Sequence, residues 1–252
     1  MILQIDHVAF ACTDIEKKVR SLKGWGYQDQ FVEAEISNPL IKRSLMRRFS
    51  QKQTMVLMRN PGSFAVELLD HGHVNEQHGS FTPIVENFSK DFVKSTSGHK
   101  ICGQSFEKAL CLSLDCEMYF TESEKFQFNK VVLKTNDLKA SVKFWKNFGF
   151  QVASEDLDGV ILKFRSLISP SDLYIYLQSD KSYSSLSYLD DQGFNCLAFI
   201  SNAVEREKEN LEAQGFVVTG IEELQVNQKR LSVCFAQGPC GERAEIIGIV
   251  KG

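Results

Sequence analysis

The chain has 252 residues, 43% hydrophobic and 24% charged, with 29 basic against 32 acidic side chains and a formal net charge of −3. That length accommodates one large domain or two ordinary ones, and the apolar share builds a core without disulfide or metal staples. The charge balance argues against a charge-driven attachment to nucleic acid or an anionic membrane, and no apolar run approaches the ~18 residues of a bilayer span.

In chain order, the first ten residues carry Asp6 and His7 inside their apolar run and no basic flank, so they read as a strand and not as a secretory signal. Thr13 and Asp14 offer helix caps. Ile15, Val19 and Leu22 then fall on one face of a helix that ends at Gly26. A basic run follows at Lys42, Arg43, Arg47 and Arg48. It reads either as a solvated face or as a receiver for the phosphates of an anionic substrate. A turn at Asn60, Pro61, Gly62 and Ser63 precedes a closing strand through Glu67.

Residues 71–79, with His71, His73 and His78, read as a polar surface loop, with a metal site at the three histidines as the competing reading. Residues 80–87 suggest a strand, and residues 109–120 two closing strands. Between them, residues 88–98 suggest a short helix, with Phe88 and Phe92 four apart and Gly98 at its exit. An irregular insertion is the competing reading of this whole stretch. From Lys130 the opening pattern returns, with Asn136 and Asp137 as caps, Leu138, Val142 and Trp145 on one face, and Gly149 at the exit. It returns again from Cys196, with Ser201 and Asn202, then Val204 and Leu211, then Gly215. The segments 7–27, 130–150 and 196–216 align without a gap. Strand, capped helix and three further strands make a βαβββ unit, repeated three times, with a fourth, eroded copy at 80–120. The seven cysteines show no C-x-x-C spacing and read as reduced, buried thiols of a cytoplasmic protein.

Glu67 stands between Val66 and Leu68, and Glu245 between Ala244 and Ile246. A buried carboxylate must be paired, metal-bound or turned toward a wet cleft. Side chains alternate along a strand, so Glu67 shares its face with Ala65 and Leu69, which suits a pocket wall. His7 is either a satisfied core histidine or a ligand. Glu117, two residues from Asp115, is either a solvent-facing residue or a ligand.

Residues 5–10 followed by Thr13 and Asp14 resemble the opening strand of glyoxalase I and methylmalonyl-CoA epimerase. Residues 60–69 and 238–247 resemble the closing motif of the same family, a Gly-containing turn before a strand bearing glutamate. By these motifs about three quarters of the chain resembles the vicinal oxygen chelate superfamily, the glyoxalase, bleomycin-resistance and extradiol dioxygenase relatives. The resemblance implies an α+β fold of paired βαβββ modules forming curled mixed β-sheets with helices outside. It implies two glyoxalase-like domains. One spans residues 1–125 (module 1–70 plus the eroded module 80–120), and the other spans 126–252 (modules 128–180 and 194–250).

In the family, metal ligands come from the first and last strand of each module. Carried over, this gives His7 and Glu67, with Glu117 as third ligand if the eroded module is real. The first-strand position of that module falls at Ser80 or Gly79, with His78 beside it. The C-terminal half offers Lys130, Tyr176, Cys196 and Glu245. Lysine and tyrosine are poor ligands, so that half is expected to have lost its metal and to pair Glu245 with Lys130. The His7, Glu67 and Glu117 set suits a divalent ion (Zn, Ni, Mn, Fe or Mg). The implied activity is that of a metal-dependent small-molecule lyase or epimerase (an isomerase) that stabilises an enolate-like intermediate. The alternative is a metal-free small-ligand-binding protein of the resistance or sequestration type, using the same cleft lined by Phe164, Tyr174, Tyr176, Phe199 and Phe235. A catalytically inactive interaction scaffold is a third reading. The expected partner is a small-molecule substrate or ligand, with no nucleic acid and no membrane, and a homodimer is compatible with the fold.

Overall fold

The computed structural model describes residues 1–86, 92–123, 125–165, 172–183 and 187–250, with backbone only for 92–97. The first module comprises β1 (Ile2–Ala11), α1 (Ile15–Gly24), β2 (Gln28–Ser37), β3 (Lys52–Arg59) and β4 (Val66–Asp70). A short β5 (Asn75–His78) leads to the second module, β6 (Phe81–Glu86), β7 (Phe92–Ile101), β8 (Gln104–Cys111) and β9 (Cys116–Thr121). The third holds β10 (Gln127–Thr135), α2 (Leu138–Lys146), β11 (Gln151–Glu155), β12 (Gly159–Arg165) and β13 (Asp172–Ser179). The fourth holds β14 (Asp191–Ser201), α3 (Val204–Ala213), β15 (Val217–Val218), β16 (Glu222–Val226), β17 (Lys229–Gln237) and β18 (Arg243–Ile249). This is the expected α+β architecture. Among the described residues no helix is long and apolar enough to cross a membrane.

Local chemistry explains most of the helix boundaries. The Asp14 carboxylate accepts from the Lys17 amide at 3.2 Å and that of Asp137 from the Ala140 amide at 3.0 Å. The third helix departs from the expectation at Ser201 and Asn202. Ser201 Oγ accepts from the Ala203 amide, and no side chain caps α3. At the exits Gly26, Gly149 and Gly215 take φ of 85°, 92° and 86°, the left-handed region in which a Cβ is unfavourable. The next amides, of Tyr27, Phe150 and Phe216, return to the carbonyls of Leu22, Trp145 and Leu211. Each helix is thereby stopped and its aromatic follower delivered to the core, where Trp145, Phe144, Phe148 and Leu22 are fully buried.

In all four modules the first strand runs parallel to the last: β1 with β4, β6 with β9, β10 with β13, and β14 with β18. The second module therefore has the topology of the others. The helix expected at 88–98 is not formed over its described part. Residues 92–101 form a strand instead, and Val93, Ser95 and Thr96 pair along β8. Residues 87–91 lie outside the described residues.

The modules do not pair with their neighbours in sequence. β1 runs antiparallel to β14, and β10 antiparallel to β6. The first module thus builds one curled sheet with the fourth, and the second builds another with the third. Short connections favour sequence neighbours in general. Here β5 and the segment after it carry the chain alongside β14 and over to the second sheet, so that the inner pair is nested within the outer. The two sheets meet where Phe81 pairs with Phe194 and where the Gly79 amide donates to the Gln192 carbonyl at 2.8 Å.

That crossing leaves no room for a side chain. A Cβ on Gly79 would lie well inside van der Waals contact with the Phe194 carbonyl. Gly79→Ala is expected to cost about 1–3 kcal/mol through overpacking, a loss of about 2–4 °C in Tm per kcal/mol. Thermal unfolding checks this, and an unchanged Tm would mean that the crossing is not rigid.

Candidate metal centre

The seam between β1 and β14 fixes the site. Across it His7 faces Ala198 and Ala9 faces Cys196, while on the outer sides Ala9 pairs with Glu67 of β4 and Ala198 with Glu245 of β18. The offset is identical in both modules, so His7 and Cys196 are equivalent positions, as are Glu67 and Glu245. Strand parity then turns the two glutamates toward the same hollow as His7. A β-bulge between Ile5 and His7 breaks the alternation, and Asp6 and His7 both line the cleft as a result.

His7 is 3% exposed, Glu67 6% and Glu245 8%. His7 Nε2 lies 3.2 Å from Glu67 Oε2 and 3.7 Å from Glu245 Oε2, and one ligand atom from each of the three falls within 4.8 Å of the others. His7 Nδ1 lies 3.0 Å from Asp6 Oδ2. An ionised carboxylate can only accept, so Nδ1 carries the proton and Nε2 is the nitrogen presented to the cleft. Asp6 is held in turn by Arg59, whose Nη2 donates to Asp6 Oδ1 at 2.8 Å.

Burial alone would push the His7 pKa down, but Glu67, Asp6 and Glu245 outweigh it and hold the imidazole well above 6.5. Burial would raise Glu67, and His7 with Lys42 reverses this and lowers it. Burial likewise opposes ionisation of Asp6, and His7 and Arg59 overcome it and lower the carboxyl. The centre opens into a cleft of about 590 Å³ between β2 and β3 on one wall and β16–β18 on the other. Phe31, Met55, Leu57, Leu224 and Val233 supply its apolar lining.

Of the expected ligands, the structure brings His7 and Glu67 together and leaves Glu117 apart. The parallel register pairs Ile84 with Tyr119, so the second module offers Thr82 and Tyr119 at the ligand positions, two residues beyond Ser80 and Glu117. Glu117 is half exposed and ion-paired with Lys108. Glu245, expected beside Lys130, replaces it at the centre. Lys130 belongs to the other sheet and pairs with Glu86. In that second hollow, Phe106 packs against Tyr119 and Tyr176 with ring centroids 6.3 and 5.9 Å away. An aromatic plug thus occupies the place of the ligands. Of the proposed aromatic lining, Phe164 and Phe199 lie in the main core, Tyr174 and Tyr176 belong to this plug, and Phe235 sits opposite Glu245 on β17.

Two residues near the centre are more buried than their polar stretches suggest. Lys42, read either as part of a solvated face or of an anion receiver, is 4% exposed and lines the cleft, although Arg43, Arg47 and Arg48 beside it are exposed. His71, expected on a surface loop, is 3% exposed, and neither ring nitrogen has a hydrogen-bond partner among the described residues. His73 is half-buried, its Nε2 2.9 Å from the Arg48 carbonyl, and His78 is exposed. All seven cysteines are free and six are buried, as expected.

No protein-family model matches the sequence, and no curated protein matches it. Solved structures do match the fold. A Bacillus subtilis protein provisionally described as a dioxygenase superposes with a TM-score of 0.64 at 12% identity, over 100% of this chain and 86% of that one. Glyoxalase I from Zea mays superposes with a TM-score of 0.61 at 14% identity, over 97% of this chain and 92% of that one.

Burial, with the positive charge of Lys42, pushes the His71 pKa down to about 3. The folded chain thus excludes a proton that the unfolded chain binds below about 6.5. This contribution to stability is whole above 6.5 and is lost as pH falls from there toward 3. His7, with its raised pKa, acts in the opposite sense, its contribution being lost as pH rises above 6.5. His71→Leu isolates the first effect. Relative to the parent, the variant should gain about 2 kcal/mol in urea unfolding between pH 7.5 and pH 5. A pH-independent difference would count against the buried, neutral imidazole.

Proposed function

We propose that this chain, which has the vicinal oxygen chelate fold, is a metal-dependent lyase or epimerase acting on a small molecule with two adjacent oxygens. The observation that carries the reading is the convergence of His7, Glu67 and Glu245 from three strands on one buried point. Two ligand atoms at 2.0–2.2 Å from a common ion stand at most about 4.4 Å apart. The 3.2 and 3.7 Å separations about His7 Nε2 lie within that span. Nε2 also has no well-formed hydrogen bond among the described residues. One imidazole and two carboxylates form a mixed nitrogen and oxygen set suited to Zn, Ni, Mn, Fe or Mg, and three protein ligands are the number usual in catalytic sites.

A divalent ion held by His7, Glu67 and Glu245 would supply a Lewis acid that stabilises negative charge developing on a substrate oxygen. The remaining roles belong to the chain itself. Asp6, braced by Arg59, fixes the His7 ring and keeps Nε2 directed at the centre. Glu67 and Glu245 are the carboxylates nearest Nε2, so moving the proton on the carbon next to the substrate carbonyl falls to one of them. The apolar side chains Phe31, Met55, Leu57, Leu224 and Val233 lower the local dielectric and strengthen the charge interactions beside them.

One observation favours a second reading, a metal-free binder of small ligands. With His7 protonated, the cations His7, Arg59 and Lys42 balance the anions Asp6, Glu67 and Glu245. Elemental analysis after loading with Mn, Zn or Ni separates the two. The parent is expected to retain about one equivalent, His7→Ala and Glu245→Gln to lose most of it, and Glu117→Gln to keep it. At pH 7, loading should also release about one proton from His7, read by calorimetry in buffers of different ionisation enthalpy. Absence of metal under every loading condition would overturn the enzymatic reading and favour the binder.

A further inference from the structure

Lys42 acts on Glu67 through space, yet it is the cation near the centre that no carboxylate among the described residues meets at ion-pair distance. It stands on a short 3-10 segment, Leu40–Leu45, and lines the cleft. The turn is fixed at both ends: the Ile41 amide donates to Glu222 Oε2 at 3.1 Å, and the Leu189 amide donates to the Leu45 carbonyl at 2.9 Å. The ammonium group carries three donors. Among the described residues its one hydrogen bond is a long one, 3.5 Å to Gln53 Oε1, and no carboxylate lies within ion-pair distance. The ring of Phe235, opposite Glu245, lies 5.7 Å from Nζ. Asn38, 4% exposed and also lining the cleft, has an Oδ1 with no partner among the described residues.

A buried cation with unused donors and a buried acceptor with no donor, on one wall of the same cleft, are costly in the folded state unless a ligand meets them. We infer that Lys42 selects the substrate, which is a small monoanion: a carboxylate-bearing carbonyl compound. Its two adjacent oxygens face His7, Glu67 and Glu245, its carboxylate meets Lys42, and its apolar part lies along Phe31, Met55 and Leu57. The inference deepens the proposed function and rests on that reading of the cleft as the reaction site. A single cation in the corner matches a single negative charge, and a cleft of about 590 Å³ limits the ligand to a small molecule.

Benzoate and benzamide test this, since they share a shape and differ in charge. Titration of Mn-loaded protein should show that Lys42→Met weakens benzoate about tenfold or more and changes benzamide by less than about twofold. Lys42→Arg should restore most of the benzoate affinity. Equal weakening of both probes, no change with either, or no benzoate binding by the parent would overturn the inference. Repeating the titration on chelator-treated protein and measuring metal in every sample keeps the two claims apart. Loss of the metal reading with benzoate still dependent on Lys42 sinks only the proposed chemistry. Bound metal with no Lys42 dependence sinks only the substrate assignment.

Discussion

Three carboxylates and one imidazole share the middle of a buried sheet, and most of the surrounding structure answers to that arrangement. Asp6 and Glu67 cannot stay ionised there without compensation, because desolvation opposes each charge. His7 lies in contact with all three, Arg59 braces Asp6 from the rim, and Lys42 acts on Glu67. Removal of any one partner leaves a charge buried without its counterpart, which costs more than the pair contributes. The bulge before His7 belongs to the same arrangement. A regular strand would have sent Asp6 and His7 to opposite faces and separated the imidazole from the carboxylate that orients it.

The two curled sheets put the same module geometry to different uses. In one, the register sets His7, Glu67 and Glu245 about an accessible hollow. In the other, the equivalent positions are Thr82, Tyr119, Lys130 and Tyr176, and Phe106 fills the space between the tyrosines. Aromatic contacts of this kind contribute to packing and require no compensating charge. Burial holds Tyr176 up to about 12, well away from ionisation at neutral pH, and its hydroxyl donates to Gln104. The plugged hollow can therefore stabilise the molecule, and the polar one can spend stability on a site. A fold hosts many chemistries in this way, through what a few strand positions carry.

How far each feature was legible in the sequence follows the distance over which it is determined. Caps and exit glycines depend on residues within a turn or two, so Asp14, Asp137, Gly26, Gly149 and Gly215 could be read directly. Module pairing depends on contacts nearly 200 residues apart, such as His7 with Ala198, and nothing local to β1 says that β14 and not β6 will lie beside it. That one misreading moved Glu245 away from the centre and put Glu117 in its place. A signal was nonetheless present. Glu67 and Glu245 both follow a Pro/Gly turn and stand inside apolar strands, whereas Glu117 has the alternating polar neighbours of an exposed face. The burial of Lys42 and His71 had no such cue: both stand in polar stretches, and only the folded chain sets Lys42 against Phe235 and the wall of the cleft.

Cys196 bears on what the centre is built to do. It occupies the position equivalent to His7, yet its sulfur is not among the ligand atoms that gather within 4.8 Å. Burial, with the charges of Glu245 and Glu67, holds the thiol well above its ordinary value, and its Sγ turns to the Leu197 carbonyl at 3.7 Å. The corner that Cys196 occupies is small, and the three groups that would hold an ion are His7, Glu67 and Glu245. Structural sites close all four positions around the metal, while catalytic ones keep one or more for water or substrate. With a thiol where the first module has an imidazole, His7, Glu67 and Glu245 make three candidate ligands, the number usual in catalytic sites, and not four.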